Sequence, residues 1–238
     1  MKVSKLIFIF IFIFLCGCAH NPQDKFLMGN LYFQKSSEVK ALSLQAFNAA
    51  SDNLKRLKND KVNQCIILDV DETILDNSLY QGWLFKAREN YSSKTWDDWV
   101  LTANASAVPG AVNFIEKAKS MGFKTVFITN RKSYLKNATL NNLSKVGVKV
   151  ERDDLLLRTI TSSKVDRRSA IEKTCRIEML IGDSMADFSE VFEGTHSERI
   201  KKVSELKEDF GRRYFVLPNP MYGDWIRKIE GQNLKSYK

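Results

Sequence analysis

The stretch IILDVDETILDN, residues 66–77, decides the fold class of this chain. It begins as a short apolar run, which is typical of a β-strand buried on both faces. It contains two aspartates, Asp69 and Asp71, whose side chains project to the same side of an extended backbone. Two carboxylates so close together repel each other unless a cation or a shared proton relieves the repulsion. A strand followed by an acidic, solvated turn is the plainer interpretation.

A second apolar run begins the segment at residues 179–188, and it is followed within that segment by a second acidic cluster, Asp183 and Asp187. Strands alternate with helices along the chain, which predicts an α/β fold built on a doubly wound parallel sheet. The ligand crevice of such a sheet lies at the carboxyl ends of its strands, where we expect Asp69, Thr129 and Asp183 to converge. Two strand ends that each carry two aspartates indicate a Mg²⁺ site with oxygen ligands.

The spacing of these aspartates resembles that of a known superfamily. The pattern Asp-x-Asp-x-Thr at residues 69–73, followed by Gly-Asp-x-x-x-Asp at residues 182–187, is similar to the haloacid dehalogenase superfamily of phosphoryl-transfer enzymes. With Leu75, Asn77 and Tyr80, the first motif resembles a narrower group, the 5′-nucleotidase-like class C bacterial acid phosphatases. This resemblance implies a haloacid dehalogenase-like core with a small α-helical accessory region or cap.

The resemblance covers most of the chain, from about residue 37 to residue 223. It includes the segments AVPGAV at residues 107–112 and ITNRK at residues 128–132. None of the departures from the family pattern removes a carboxylate, so they bear on fine specificity and leave the reaction chemistry in place. The departures are Val70, Ile74, Glu178, Ser184 and Met185.

The resemblance implies a Mg²⁺-dependent phosphomonoesterase that forms an aspartyl-phosphate. Asp69 is the expected nucleophile, and Asp71 is expected to protonate the leaving group and then to activate water. The expected Mg²⁺ ligands are the Asp69 carboxylate, the Asp71 backbone carbonyl and the Asp183 carboxylate. Asp187 is expected beside the metal, where it orients a water molecule or Lys164.

Three residues are expected to bind the phosphate group. Thr129 and the backbone around Asn130 would hydrogen-bond its oxygens, and Lys164 would neutralise both the phosphate and Asp69. Arg167 is an alternative to Lys164 in this role. The plainer interpretations are a helix N-cap for Thr129 and an exposed lysine for Lys164.

Aromatic residues indicate the substrate class. An inserted cap is expected at about residues 80–105, and it contains Tyr80 and Trp96. By the same resemblance, Trp96 and Tyr222 hold a nucleobase, and Tyr80 belongs to the same substrate-binding site. The expected substrates are therefore nucleoside monophosphates, including nicotinamide mononucleotide. Core packing of the cap for Trp96 and capping of the sheet edge for Tyr222 are the plainer interpretations.

The N-terminus has the pattern of an export signal. Lys2 and Lys5 precede an apolar run at residues 6–16, which is shorter than the ~20 residues that span a bilayer. Residues 1–18 resemble a lipoprotein signal peptide, with Cys18 as the acylated residue and the outer membrane as the expected destination. An ordinary signal peptide or an uncleaved anchor is the alternative.

Behind this signal we expect a polar tether over residues 19–35 and one acid phosphatase domain over residues 36–238. The chain has 238 residues, of which 44% are hydrophobic, enough for one sizeable core. The formal net charge is +9, but the basic residues are scattered. Nucleic-acid polymers favour a basic stripe with interleaved aromatic residues, so we expect no such partner. The sequence leaves open whether the protein forms an oligomer.

The histidine and cysteine content limits which catalytic, metal and disulfide sites the chain can form. The chain has only two histidines, His20 and His196, which argues against a histidine-nucleophile phosphatase and a multi-histidine zinc site. Cys65 and Cys175 each precede an apolar strand, where they form a disulfide, as export permits, or remain buried thiols. Two other function classes stay open: a phosphotransferase on the same fold and a non-catalytic, ligand-binding surface lipoprotein.

Overall fold

A central sheet of five parallel strands organises the structure, a computed structural model that describes residues 23–57, 63–229 and 231. In chain order its strands are β1 (Gln64–Leu68), β4 (Lys124–Lys132), β5 (Leu155–Arg158), β6 (Arg176–Gly182) and β7 (Tyr214–Val216). In space the order is β5-β4-β1-β6-β7, so the chain passes from β1 outward to one edge and then returns to the other. This topology confirms the predicted doubly wound α/β fold, and its ligand crevice lies at the carboxyl end of β1.

The predicted first strand lies at the centre of the sheet. Within β1, Ile66 lies opposite Thr125 of β4 on one side and opposite Met179 of β6 on the other. All five residues of β1 are buried. An apolar run without polar alternation is what a strand covered on both faces requires.

Helices cover both faces of this sheet and connect its strands. The side chains of β1 alternate between two cores, with Ile66 in the core that contains Phe47 and Phe114, and Ile67 in the core that contains Ile171. The helices are α1 (Leu27–Lys35), α2 (Ser37–Leu57), α3 (Ser78–Ala87), α4 (Ser93–Thr102), α5 (Ala111–Ser120), α6 (Lys136–Lys145), α7 (Val165–Glu172), α8 (His196–Glu205) and α9 (Asp224–Ile229).

The long helix predicted after Ser36 is confirmed as α2. Its apolar stripe is buried at Val39, Phe47 and Leu54, because these residues recur on one face of a helix with 3.6 residues per turn. The rings of Phe47 and of Phe114 in α5 lie 5.6 Å apart. The predicted end of this helix, at residues 58–60, lies outside the described residues.

The segment predicted as a polar tether, residues 19–35, is helical from Asp24 onward, which corrects that prediction. A 3₁₀ turn at Asp24–Phe26 leads into α1, whose Phe33 is buried against Val39 and Met221. This tertiary packing stabilises a helix too short to form alone. The rest of the tether and the predicted signal peptide, including Cys18, lie outside the described residues. The described part of the chain contains no helix long and apolar enough to cross a bilayer.

Cys65 and Cys175 form a disulfide, which settles the alternative that the sequence left open. Cys65 is in β1, and Cys175 directly precedes β6, the neighbouring strand. Strand pairing brings the two Cα atoms to 5.8 Å, although 110 positions separate them in the chain. This distance is within the range that a disulfide spans.

A helical insert follows the first strand, at the position predicted for a cap. It consists of α3 and α4, and two short strands, β2 (Leu75–Asp76) and β3 (Ser106–Ala107), pair antiparallel at its base. In α4, Asp97 accepts a hydrogen bond from Lys132 of β4 at 2.7 Å. Trp99 of α4 donates to Asn77 at 2.9 Å. These contacts hold the insert against the end of the sheet.

Candidate active site

The carboxyl ends of β1, β4 and β6 open onto one cavity of about 1010 Å³. Asp69 directly follows β1, Asn130 lies near the end of β4, and Asp183 directly follows β6; all three line the cavity. The strand ends that the sequence indicates therefore meet at one place. Parallel strands cause this convergence, because their carboxyl ends lie along the same edge of the sheet.

Lys164 lies between two of the aspartates. Its Nζ is 2.6 Å from Asp187 Oδ1, and it also donates to Asp69 Oδ1. All three side chains are buried, and ion pairs are strengthened where water is excluded. The plainer interpretation of Lys164 as an exposed lysine is therefore wrong.

Burial is the largest single influence on the pKa values of Asp69 and Lys164. It raises the pKa of Asp69 to about 7, against the attraction of Lys164 and with added repulsion from Asp187 and Asp71. Burial acts to lower the pKa of Lys164, but the carboxylates of Asp187 and Asp69 outweigh it and raise that pKa. Lys164 therefore stays charged at neutral pH, whereas Asp69 needs further positive charge nearby to be ionised in acid.

Arg167, the alternative to Lys164, has other partners. Its guanidinium donates to the carbonyl oxygen of Thr129 at 2.6 Å and to Asn130 Oδ1 at 2.7 Å. It also donates to the carbonyl oxygen of Ser163 at 2.9 Å. These bonds connect the end of β4 to the loop before α7. Lys164 forms an ion pair with Asp69, whereas the hydrogen bonds of Arg167 go to other residues.

Asp71 has its own cation, Arg131. Its Oδ1 accepts hydrogen bonds from Arg131 Nε at 2.9 Å and from Asn77 Nδ2 at 3.0 Å. Its Oδ2 accepts from the Thr129 hydroxyl at 3.2 Å. The repulsion expected between Asp69 and Asp71 is thus relieved by a separate protein cation at each carboxylate.

Thr129 is not a helix N-cap, because it lies inside β4 and is buried. Its hydroxyl donates to Asp71 and accepts from the backbone N–H of Arg131 at 3.1 Å. The first contact orients Asp71, and the second holds the Thr129 hydroxyl in place. The neighbouring Asn130 is exposed and lines the cavity. Contact of Thr129 and Asn130 with a phosphate group stays a prediction.

Three carboxylates form a cluster that can hold a divalent cation. Oxygens of Asp69, Asp183 and Asp187 lie within 4.8 Å of one another. Burial, with repulsion from Asp187 and Asp69, raises the pKa of Asp183 well above its ordinary value. Two buried carboxylates, Asp69 and Asp187, and the half-buried carboxylate of Asp183 therefore face one ammonium group, Lys164, and the excess negative charge fits a divalent cation with oxygen ligands. The side chain of Asp71 is outside this cluster, and its expected ligand atom is the backbone carbonyl oxygen.

Trp96 and Tyr222 both line the cavity that contains the aspartates. Tyr80, predicted as part of the substrate-binding site, lies instead behind Trp96 and is buried. The two rings meet edge to face at 5.2 Å, and the Tyr80 hydroxyl forms a hydrogen bond with Thr95 at 2.9 Å. This packing makes Tyr80 a support for Trp96, because a buried ring behind another ring has no access to the cavity.

Three residues that organise the site had no role predicted from the sequence. Arg131 is buried at the end of β4 and pairs with Asp71, and its guanidinium carbon lies 5.9 Å from the Trp96 ring. Asn219 donates to Asp183 at 2.7 Å. Asn77 donates to Asp71. The available signal was the position of Arg131 directly after a predicted buried strand, where an arginine requires a carboxylate partner.

Glu72 shapes the turn between Asp71 and the insert. It is buried, its backbone has a φ of 56°, and its Oε1 accepts from the backbone N–H of Asn77 at 2.8 Å. Burial, together with the negative charges of Asp71 and Asp183, raises the pKa of Glu72 well above its ordinary value. A left-handed backbone conformation is costly for a residue with a side chain, so the surrounding bonds must hold this turn in place.

The structure is similar to that of a known acid phosphatase. The structure of the class C acid phosphatase from Bacillus anthracis superposes with a TM-score of 0.84, at 34% sequence identity, over 90% of this chain and 92% of that chain. A structure of the same enzyme with tungstate bound gives a TM-score of 0.85 at 34% identity, over 91% and 93% of the two chains.

The relatives in sequence include an acid phosphatase. Acid phosphatase 1 from Solanum lycopersicum is 29% identical over 164 residues, which cover 66% of this chain and 57% of that protein. Residues 20–225 match the family described as HAD superfamily, subfamily IIIB (acid phosphatase). The match covers most of the chain and all of the site residues from Asp69 to Tyr222. The chain therefore belongs to the subfamily IIIB acid phosphatases of the HAD superfamily.

Proposed function

We propose that this protein is a Mg²⁺-dependent acid phosphatase that removes the 5′-phosphate from nucleoside monophosphates, including nicotinamide mononucleotide. The observation that carries the proposal is the placement of Asp69, which faces the cavity beside Lys164 and within a cluster of three carboxylates. Phosphoryl transfer needs a nucleophile, and it is accelerated by an ammonium group and a bound cation placed beside that nucleophile.

In the first step, an oxygen of Asp69 attacks the phosphorus atom and the bond from phosphorus to the ester oxygen breaks. The product is an aspartyl-phosphate. Lys164, whose ammonium group already contacts Asp69, lies where it can neutralise the transferred phosphoryl oxygens. Asp187 holds Lys164 in this position through the contact of 2.6 Å.

Asp71 is the proposed general acid and base. In protonated form it gives its proton to the leaving oxygen, and as a carboxylate it then takes a proton from the water that attacks the aspartyl-phosphate. The second step releases inorganic phosphate and regenerates Asp69. Support comes from the three neighbours that orient Asp71, namely Arg131, Asn77 and Thr129.

The carboxylates of Asp69 and Asp183, with the backbone carbonyl of Asp71, would hold the Mg²⁺ ion. When bound, it would supply positive charge that stabilises the phosphoryl oxygens and keeps Asp69 ionised. Asn219 orients the Asp183 carboxylate by donating to its Oδ2 at 2.7 Å. Binding of tungstate, a tetrahedral oxyanion, to the Bacillus anthracis relative supports an oxyanion site on this fold.

Trp96 and Tyr222 are the proposed contacts of the nucleobase. Both line the cavity into which Asp69 faces, and half-buried aromatic rings provide flat surfaces for stacking. Stacking on a base is worth ~1–3 kcal/mol and accepts any base. The proposal therefore includes a broad preference for nucleotides over small aliphatic phosphates.

Export and lipid attachment at Cys18, with delivery to the outer membrane, complete the proposal. Support comes from the sequence of residues 1–18, in which two lysines precede a short apolar run and a cysteine. Replacement Cys18→Ser should move the protein from the membrane fraction to the soluble fraction. Membrane association that is unchanged would indicate an uncleaved anchor instead.

The decisive experiment measures phosphate release from adenosine monophosphate, nicotinamide mononucleotide and glycerol phosphate. We expect turnover with Mg²⁺, none after treatment with EDTA, and recovery when Mg²⁺ is added back. Asp69→Asn should abolish turnover with the fold intact, whereas the matched control Asp153→Asn, at an exposed position, should keep it. Full turnover of Asp69→Asn would reject the nucleophile assignment. Phosphorylation of an added alcohol would identify a phosphotransferase.

A further inference from the structure

Helix α1 carries apolar side chains around most of its circumference. Its sequence is LMGNLYFQK, and Phe33 is buried against Val39 and Met221. On the opposite side, Met28, Leu31 and Tyr32 are 73%, 44% and 40% exposed. A helix on the surface of a soluble domain normally turns polar side chains outward, and a helix that is apolar all round is normally covered.

Helix α3 continues this apolar surface. Gln34 near the end of α1 donates to the carbonyl oxygen of Ser78 at 2.6 Å, so the two helices meet at the start of α3. Leu79 directly follows this contact, and Trp83 lies one turn further along the same side. They are 57% and 44% exposed.

The exposed apolar residues of the two helices form what we call the docking face. The two helices meet where Gln34 faces Ser78 and Gly82 of α3, and Leu79 and Trp83 directly follow these two residues. The ring of Trp83 is held by stacking at 6.0 Å on Tyr80. The docking face consists of Met28, Leu31, Tyr32, Leu79 and Trp83.

Within helices α1 and α3 the charged residues have one sign, whereas the exposed Asp24 precedes α1 and the exposed Glu89 follows α3. Helices α1 and α3 contain no acidic residue, and Lys35 and Lys86, both exposed, are their only charged residues. Apolar and aromatic side chains bordered by lysines match the boundary of an anionic lipid bilayer, where tryptophan and tyrosine are also enriched. A second copy of this chain fits less well, because helices α1 and α3 supply no acidic residue that could pair with these lysines across an interface between two copies.

We propose that the docking face lies on an anionic phospholipid bilayer and orients the domain on the membrane. The chain length between the proposed lipid attachment and the domain permits this contact. The five positions from Cys18 to Gln23 span at most ~18 Å when fully extended. A domain held so close to the bilayer has a high effective concentration at its surface, so a small apolar face is sufficient for docking.

This contact would also position the substrate cavity. Helix α1 approaches the segment before Tyr222 so closely that a Cβ atom at Gly29 would lie 2.5 Å from the carbonyl oxygen of Pro220. Phe33 of the same helix packs in the cluster that contains Met221 and, beside it, Tyr222. Met221 and Tyr222 line the cavity. Helix α1 therefore contributes to the docking face and also packs against residues that form one wall of the cavity.

The test uses the full chain bound to vesicles of phosphatidylglycerol and phosphatidylcholine in equal parts, with brominated acyl chains that quench tryptophan on contact. We expect the emission of Trp83 to be quenched. Trp83→Phe should therefore remove most of the quenchable emission. The matched control is Trp225→Phe, which changes a residue of similar exposure, 37%, outside the docking face and should leave the quenching in place.

A double variant, Met28→Ser with Leu31→Ser, tests the face without changing a tryptophan. It should lose most of the quenching and keep the thermal melting temperature and the turnover of a soluble ester, because both side chains are exposed. Flotation of the vesicles reports the anchor separately. A protein that floats with the vesicles and shows no quenching of Trp83 would overturn docking while leaving the proposed anchor intact.

Two further outcomes would also overturn the proposal. Equal quenching on pure phosphatidylcholine would remove the role of the two lysines and of anionic lipid. A dimer in sedimentation that Leu31→Lys dissociates, with Trp83 shielded from lipid, would assign the docking face to a second copy of the chain. Neither outcome depends on phosphatase activity, so the inference and the proposed function fail independently.

Discussion

Two nitrogens of the Arg131 guanidinium contact the same oxygen of Asp71, Oδ1, with Nε at 2.9 Å and Nη2 at 2.8 Å. The side chain of Arg131 is 1% exposed and that of Asp71 is 18% exposed, so the contact joins the protein interior to the cavity. A planar guanidinium fixes the direction of a carboxylate in a way that a single ammonium does not. Arg131 is thus a positioning residue for the proposed acid and base.

Arg131→Lys should lower kcat for every substrate by about 10- to 100-fold with little change in KM, because a small misplacement of a catalytic group is costly. Steady-state kinetics on a nucleotide and on an aliphatic phosphate measures the effect. The matched control is Arg199→Lys, since Arg199 is a buried arginine that pairs with Asp224. If both variants lose stability and turnover equally, Arg131 has a structural role only.

Removal of metal should make the stability of the protein depend on pH in a defined direction. Without metal, the pKa of Asp69 is raised from 3.8 to about 7, so the folded state binds more protons than the unfolded state between these values. The free energy of unfolding contributed by this group is therefore greatest at low pH and falls as pH rises towards 7. Mg²⁺ should relieve this loss, because a cation favours the ionised carboxylate.

We therefore expect Mg²⁺ to raise the melting temperature more at pH 7 than at pH 5. The comparison of melting curves with EDTA and with Mg²⁺ at each pH isolates the site from the other carboxylates. The raised pKa of Asp183 acts in the same direction. Asp183→Asn should reduce the gain at pH 7, and a gain that does not vary with pH would contradict the assignment of the cluster as the metal site.

Trp96→Ala and Tyr222→Ala should each lower kcat/KM for nucleotides by up to ~10–100-fold, in line with the energy of stacking on a base. The same variants should change kcat/KM for glycerol phosphate much less. Tyr222→Phe is the matched control, because the Tyr222 hydroxyl has no hydrogen-bond partner among the described residues and the ring is kept. Equal losses on both substrates would reject base stacking and leave a general phosphatase.

The double variant Cys65→Ala with Cys175→Ala should unfold at lower urea concentration than the wild type. Closing a loop of this length restricts the unfolded chain, and loss of such a disulfide costs about 2–4 kcal/mol. Urea unfolding followed by circular dichroism measures the change. Wild-type protein reduced with a thiol under denaturing conditions should match the double variant, and no difference in either case would show that the bond contributes nothing.

Sequence alone determined the parts of this protein that depend on neighbouring residues. The apolar run ending at Leu68 identified the central strand, and the repeat of apolar residues every three to four positions identified α2. The spacing of Asp69, Asp71 and Asp183 indicated the reaction class, because each pair of aspartates belongs to one short segment at a strand end. The family match over residues 20–225 agrees with that reading.

Only the tertiary structure decided which distant groups pair. Asp71 and Arg131 are on different strands, and their contact exists because β1 and β4 are adjacent. The disulfide of Cys65 depends on the adjacency of β1 and β6 in the same way. Helix α1 was missed because its stability comes from packing on Met221, not from its own amphipathic pattern. The periodicity of a helix or strand depends on residues that are close together in the sequence. Burial and the pairing of side chains depend on contacts between segments that are remote in the sequence.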